Sequence, residues 1–335
     1  MEPSMNVLDN IIQRAKASPK RIVLTEGEDV RIIQAAERLS NDAVADVTIL
    51  GNVEIIANRA EELGITLTKV KVLDPAKSSL RDELAQLLFE LRAKKGMTLE
   101  KATELVRQPL WFANLSVKAG HQDGVVSGAV HTTGDVVRVA IQVIGVDKVF
   151  KMISSFFLMI LDQAHHPRQG SMVFSDCGLV IDPDATQLAE IASAAANSYQ
   201  SLNNDEAKVA MLSFSTAGSA KHPDVDKVVE ATRLVKAARP DLSIDGEVQL
   251  DAAIIPAIAA SKIECSAVQG AANVLVFPSL EAGNIAYKLV ERFAGATAIG
   301  PLLQGLAQPA NDLSRGCSAD DVYYVAAVTV VQAQA

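Results

Sequence analysis

The strongest constraint on this chain is a rhythm. Short β-branched runs alternate with longer segments of helical period from one end to the other. RIVLTEG (21–27) reads as a strand and VRIIQAAERLS (30–40) as the helix after it. ADVTILG (45–51) leads into VEIIANRAEELG, KVKVLD into SLRDELAQLLFELRAKKG, and GVVSGA (124–129) into TGDVVRVAIQVIG. The second half repeats the unit: SMVFSDC precedes ATQLAEIASAAANSYQSL, VAMLSFS precedes DVDKVVEATRLVKAA, LSIDGEVQ precedes DAAIIPAIAASK, and NVLVFPS precedes EAGNIAYKLVERFAG. Alternation of this length predicts an α/β protein with mainly parallel sheets covered by helices on both faces. The units are too many for one small sheet, and the rhythm breaks at VIGVDKVFK, so a division is expected near residues 145–150. The closing pattern ADDVYYVAAVTVVQAQ is too apolar for solvent and must dock on a core or an oligomer interface.

Composition narrows the function classes. Apolar residues make up 49% of the 335, enough for a sizeable core, yet no apolar run reaches the ~18–20 residues of a membrane span. The opening MEPSMNVLDNIIQRAKASPKR lacks the apolar centre and small-residue cleavage site of a signal peptide, so a cytoplasmic protein with no membrane partner is expected. A formal charge of −9 and no basic tail argue against nucleic acid. An anionic ligand would need lysines and arginines gathered locally against the global field. Cys177, Cys265 and Cys317 are widely spaced and form neither a disulfide framework nor a metal pair. The adjacent His165 and His166 suit no ligand pair on one helix face, and no metal site is expected.

Helix N-termini after strands are where α/β proteins hold ligands, and four such junctions carry unusual polar content. In VVSGAVHTTGDVVRVAIQ (125–142), Ser127, Gly128 and Gly134 permit close backbone approach, Thr132 and Thr133 offer hydroxyls, and Arg138 follows about one turn on. This is either a phosphate cradle or a Thr133 cap followed by a solvated arginine. MLSFSTAGSAKHPDVDKV (211–228) offers Ser213, Ser215, Thr216, Gly218 and Ser219, without the G-x-x-x-x-G-K-[ST] of a nucleotide loop. PSLEAGNIAYKLVERFAG (278–295) places Asn284 and Lys288 on one helix face. In NDLSRGCSADDV (311–322), Ser318 and Asp321 fit a capping box, which leaves Ser314 and Arg315 just upstream unexplained. Neither G-x-S-x-G nor G-x-G-x-x-G occurs.

Taken in order, RIVLTEGEDVRIIQAA, ELRAKKGMT, TTGDVVRVAIQVIG, SSFFLM, FSDCGLVIDPDATQLAEIA, MLSFSTAGSA, NVLVFPSLEAGNIAYKL and, most specifically, GPLLQGLAQPANDLSRGCSADDV resemble the phosphate acetyltransferase (phosphotransacetylase) family over nearly the whole chain. The resemblance implies reversible acetyl transfer between acetyl phosphate and coenzyme A. It implies two three-layer α/β/α domains with an interdomain cleft, like the isocitrate and isopropylmalate dehydrogenases. The first domain would be 1–147 plus 304–335, completed by the C-terminal helix, and the second 148–303. A homodimer is implied too, with coenzyme A as substrate and no tightly bound cofactor or metal. Carried over position by position, Asp321 stands where the family has its general base, Ser314 where the thiol is oriented, and Arg315 where the acyl phosphate is held. Arg92, Arg138, Thr133, Lys288 and Ser127 stand at substrate and coenzyme A positions. Gly134 and Val139 depart from the usual alanine and proline, Thr25 replaces a common proline, and WFANLSV lacks the usual glycine. None of these removes a charged group.

The implied chemistry sets its own demands. Aspartate is a weak base toward a thiol, so a dry site and a nearby cation must narrow the gap. Phosphate leaves readily, so alignment of two anionic substrates and formation of the thiolate are the main tasks. Cys317 is the rival nucleophile, through an acyl-enzyme. Three other readings stay open: transfer of a butyryl or propionyl group, a metal- and NAD-dependent dehydrogenase using aspartates such as those of DPDA (182–185), and a non-catalytic domain that senses acetyl-CoA.

Overall fold

A computed structural model describes residues 7–166 and 169–334 of the chain. In chain order it contains α1 (Val7–Ala17), β1 (Lys20–Leu24), α2 (Val30–Asn41), β2 (Ala45–Leu50), α3 (Val53–Glu62), β3 (Lys71–Leu73), α4 (Arg81–Arg92), α5 (Leu99–Leu105), α6 (Pro109–Lys118), β4 (Gly124–Ser127) and α7 (Thr133–Val143). There follow β5 (Ser154–Leu161), β6 (Gly170–Ser175), α8 (Ala185–Asn203), β7 (Lys208–Leu212), α9 (Pro223–Ala238), β8 (Ser243–Val248), α10 (Leu250–Ile254), α11 (Pro256–Lys262), β9 (Val274–Val276), α12 (Leu280–Ala294), β10 (Thr297–Gln304), β11 (Ala310–Asp312) and α13 (Ala319–Gln332). Two compact units result. The first is Leu8–Lys148 with Leu306–Ala335, and the second includes Val149–Gly305.

The first unit holds a wholly parallel sheet in the order β11-β4-β1-β2-β3. Strand alternation sorts its side chains. Val23, Val125 and Ala310 share a row and pack into the core built with Leu84 and Leu88 of α4, Phe112 of α6 and Val136 of α7. Residues of the opposite parity face α13, which lies against β1, β4 and α2. There the Asn311 amide donates to Thr329 Oγ1 at 2.8 Å and to Gln332 Oε1 at 2.7 Å. Gly124 is required on this face: an added Cβ would sit 2.6 Å from Thr329 Cγ2. The apolar closing pattern thus becomes an inner layer of the first unit, with nine of its residues from Val322 to Val331 buried.

The second unit holds a mixed sheet in the order β10-β5-β6-β9-β7-β8. β6, β9, β7 and β8 run parallel, while β5 pairs antiparallel with both β6 and β10. α8 and α9 pack together along it, and α10 and α12 also lie against its strands. The alternation of strand and helix did not predict β5 or β10. Every residue of β5, SSFFLMIL, is buried, so it lacks the period-two pattern of a half-exposed strand, and among the described residues no helix separates it from β6. One further expectation is corrected. DAAIIPAIAASK is not a single helix, because Pro256 has no N–H to continue the ladder, and α10 ends at Ile254 before α11 begins on the proline.

Candidate active site

In the first unit, an apolar row gives way two residues later to a polar one at the carboxyl ends of three adjacent strands. Asp312 is in register with Ser127, and Thr25, whose N–H bonds the Val126 carbonyl at 3.2 Å, continues the row beyond β1. Three loops leave from here: 25–29 into α2, 127–132 into α7, and 313–318 into α13.

The middle loop wraps a carboxylate from its own chain. Glu26 accepts the backbone N–H groups of Gly128 (3.0 Å to Oε1), Ala129 (3.0 Å), Val130 (3.0 Å) and His131 (2.9 Å), and meets His131 Nδ1 at 2.8 Å. Burial alone would push this carboxyl up. The His131 ring and the backbone donors outweigh it and hold Glu26 below the usual carboxylate range. Glu26 in turn raises His131 above an ordinary histidine. Gly128, at φ +110°, is where the loop bends, and Asp312 Oδ1 would lie 2.1 Å from any Cβ placed there. Sequence reading had left open a phosphate cradle here; its backbone donors are taken by Glu26.

Arg31, which the sequence motifs did not single out, ties the three loops together. Its Nε and Nη2 grip Asp29 at 2.9 and 2.8 Å, and Nη2 also reaches the Ala129 carbonyl at 2.8 Å. Nη1 donates to the carbonyls of Arg315 at 2.8 Å and Cys317 at 3.0 Å. Five acceptors from one planar fork suit arginine alone. Asp29 itself caps α2, accepting the Arg31 N–H at 2.9 Å.

The third loop presents the residues with the most specific spacing. Ser314 and Arg315 are exposed. Ser314 Oγ accepts the Gly316 N–H at 3.3 Å, and the Arg315 guanidinium makes no hydrogen bond or ion pair with the described residues. Ser318 and Asp321 form the capping box: Asp321 N donates to Ser318 Oγ at 3.1 Å, and Asp321 Oδ2 accepts the Ser318 N–H at 2.7 Å and hydroxyl at 2.9 Å. Both bonds to the Asp321 carboxylate use Oδ2. Asp321 therefore meets Ser318, and no hydrogen bond joins it to Ser314. Cys317 is buried, and burial pushes its thiol up to about 11 despite the pull of Arg31, so it stays protonated near neutrality.

The remaining candidates are placed as follows. Thr132, not Thr133, caps α7, accepting the Asp135 N–H at 3.2 Å. Thr133 instead donates its hydroxyl to Asp312 Oδ2 at 2.6 Å. Arg138 is exposed and pairs with Asp135 one turn earlier at 2.5 Å. Ser127 is buried beneath the loop, its hydroxyl without a hydrogen-bond partner. Arg92 ends α4. Lys288 belongs to the second unit, where its ammonium donates to Asn284 Oδ1 at 2.9 Å. In that unit the serine-rich loop 213–219 also wraps a carboxylate of the chain: Glu247 Oε1 accepts Ser215 Oγ at 2.9 Å and the Gly218 N–H at 2.7 Å. The aspartates of DPDA are engaged as well, Asp184 in the capping box of α8 and Asp182 with Lys227. Among the described residues there is no group of three or more His, Cys, Asp or Glu that could hold a metal ion.

Residues 6–330 match the family described as Phosphate acetyl/butaryl transferase. The chain is 48% identical to the phosphate acetyltransferase of Clostridium acetobutylicum over 330 residues, covering 98% of this chain and 99% of that one. Among solved structures, the EutD phosphotransacetylase from Staphylococcus aureus superposes with a TM-score of 0.90 at 42% identity, over 98% of each chain. A branched-chain phosphotransacylase from Enterococcus faecalis shares the fold at a TM-score of 0.67 and 18% identity, over 94% of this chain and 99% of that one. Matched over residues 6–330 and over nearly the whole length of such relatives, the chain belongs to the phosphate acetyl/butaryl transferase family of acyltransferases.

Proposed function

We propose that this enzyme transfers an acetyl group reversibly between acetyl phosphate and coenzyme A, giving acetyl-CoA and inorganic phosphate, by direct attack of the coenzyme A thiolate in a ternary complex. The reading is carried by the segment 314–321. Its backbone is pinned by Arg31 at Arg315 and Cys317, while the Arg315 guanidinium is left unpaired at the surface. Arg315 holds the acyl phosphate, matching a planar fork to phosphate oxygens. Asp321 takes the thiol proton on Oδ1, the oxygen that the cap does not use, and Ser314 orients the thiol. The cap and the base thus share one carboxylate.

Arg92, Arg138, Lys288, Thr133 and Ser127 serve substrate and coenzyme A binding. Thr133 and Ser127 act from behind, through Asp312 and the buried row. Charge that builds on the leaving phosphate is met by Arg315 and by helix N–H groups. Coenzyme A enters as substrate, with no tightly bound cofactor and no metal step. The enzyme works in the cytoplasm as a homodimer, a state supported by the exposed stripe of Ile285, Leu289 and Phe293 along one face of α12. The raised, buried thiol of Cys317 favours direct transfer over an acyl-enzyme.

The test is thioester formation from acetyl phosphate and coenzyme A, wild type beside Asp321→Asn. A loss of about 10²-fold or more in kcat is expected on removing the base. Equal rates would reduce Asp321 to a helix cap. Butyryl phosphate in the same assay sizes the acyl pocket.

A further inference from the structure

Asp312 is a carboxyl group with poor provision for a charge. It is fully buried. Oδ2 receives the Thr133 hydroxyl at 2.6 Å, whereas Oδ1 has no hydrogen-bond partner and lies directly against the Gly128 backbone. Its neighbours in the row, Thr25 and Ser127, are each 1% exposed and their hydroxyl oxygens are likewise unpartnered. An unpartnered anionic oxygen in such a place costs far more than a neutral acid.

The surrounding charges are nearly all spoken for. β4 brings no titratable side chain, and α7 brings the Asp135–Arg138 pair. The loop after β1 brings Glu26, which is matched by His131. α13, across the sheet, brings Asp320, which is paired with Arg38, and the capping Asp321. The cation left uncommitted is Arg315, three residues along the chain from Asp312.

We propose that Asp312 is a positioning residue for the acyl-phosphate anion: as a neutral acid it leaves the Arg315 guanidinium wholly to the substrate, and once ionised it competes for that cation and weakens substrate capture. The step is a single proton exchanged between the carboxyl and solvent water. Burial pushes Asp312 up to about 7, against the Thr133 hydroxyl, the Leu313 N–H and Arg315, which favour the charged form, so the exchange falls at neutral pH. The proposal rests on the reading of Arg315 as the anion-binding residue.

The test measures KM for acetyl phosphate, KM for coenzyme A and kcat across neutral pH for wild type, Asp312→Asn and Arg315→Gln. In wild type, KM for acetyl phosphate should rise on the order of tenfold as pH passes about 7. KM for coenzyme A should not share that inflection. Asp312→Asn should hold KM low and flat, and titration of the substrate itself cancels in the ratio of the two enzymes. An inflection retained in Asp312→Asn, with KM raised at every pH in Arg315→Gln, overturns the proposal alone. An unchanged KM in Arg315→Gln overturns the reading beneath it and the proposal with it. If Asp312→Asn does not fold, Thr133→Val serves instead. Loss of the hydroxyl donor raises the carboxyl further, so the inflection must move to higher pH, and an unmoved inflection is a refutation. Infrared spectra of intact wild type labelled with ¹³C-aspartate must also show a protonated buried carboxyl that titrates near neutrality, and its absence counts equally against the proposal.

Discussion

At the scale of single residues, the site is built from charges matched inside the chain before any substrate arrives. Arg31 donates to five oxygen acceptors on three loops, so Arg31→Met should cost about 1.5–3 kcal/mol, as expected for losing charge-assisted hydrogen bonds at a partly buried place, read as a lowered midpoint in urea. Glu26 and His131 give stability a pH signature. The lowered Glu26 contributes stability that is present above the unfolded value of ~4.3 and lost as pH falls through its folded value. The raised His131 contributes stability present below ~6.5 and lost as pH rises through its folded value. Glu26→Gln should therefore destabilise most between these limits, and thermal melts at stepped pH will show it. Asp312 works in the opposite sense from Glu26. With the carboxyl raised to about 7, its contribution is fully present below the unfolded value of ~3.9 and is lost as pH rises from there to about 7, so Asp312→Asn should gain relative stability between those limits, by up to about 4 kcal/mol, and level off above them.

At the scale of elements, a recurring device explains both what was legible in the sequence and what was not. Strand and helix positions followed from periodicity where a strand alternates with a helix, as from β1 to α3. They did not where a strand is buried on both faces, as in β5. The capping box of α13 was visible because its partners stand three residues apart. The Gly-Ser-rich loops 127–131 and 213–219 were open to reading as anion cradles, and anion cradles they are. Their anions, however, are Glu26 and Glu247, delivered by the loop after β1 and by β8. Asp176 does likewise, accepting Gly178 N–H at 2.7 Å and Ser155 Oγ at 2.5 Å. A local motif cannot reveal a partner that tertiary structure brings from 29 residues away, as with Glu247, or from 104, as with Glu26, and for the same reason Arg31 and Asp312 escaped notice. Close packing of elements is testable at Gly124. Gly124→Ala must displace α13 from the sheet and should cost about 1–3 kcal/mol. Thr329→Ser, which removes the clashing Cγ2 and keeps the hydroxyl, should restore part of that loss in the double mutant.

At the scale of the whole molecule, a residue pattern on α12 bears on assembly. Phe293 is 86% exposed, and Ile285 and Leu289 lie on the same helical face. If this stripe meets a second copy, Phe293→Asp should shift the sedimentation coefficient to that of a monomer, and an unchanged coefficient would move the interface elsewhere. The first unit, for its part, is discontinuous in the chain: its sheet lacks β11, and one face of that sheet lacks α13, until residues beyond 306 are available. On the ribosome Val149–Gly305, an unbroken run that holds every strand of the second sheet, can close while the first unit still exposes Ile22, Leu24 and Val126 to solvent. The first unit is therefore the later one to finish folding, and the nascent chain carries an uncovered apolar sheet face for the time it takes to translate the 166 residues between α7 and β11.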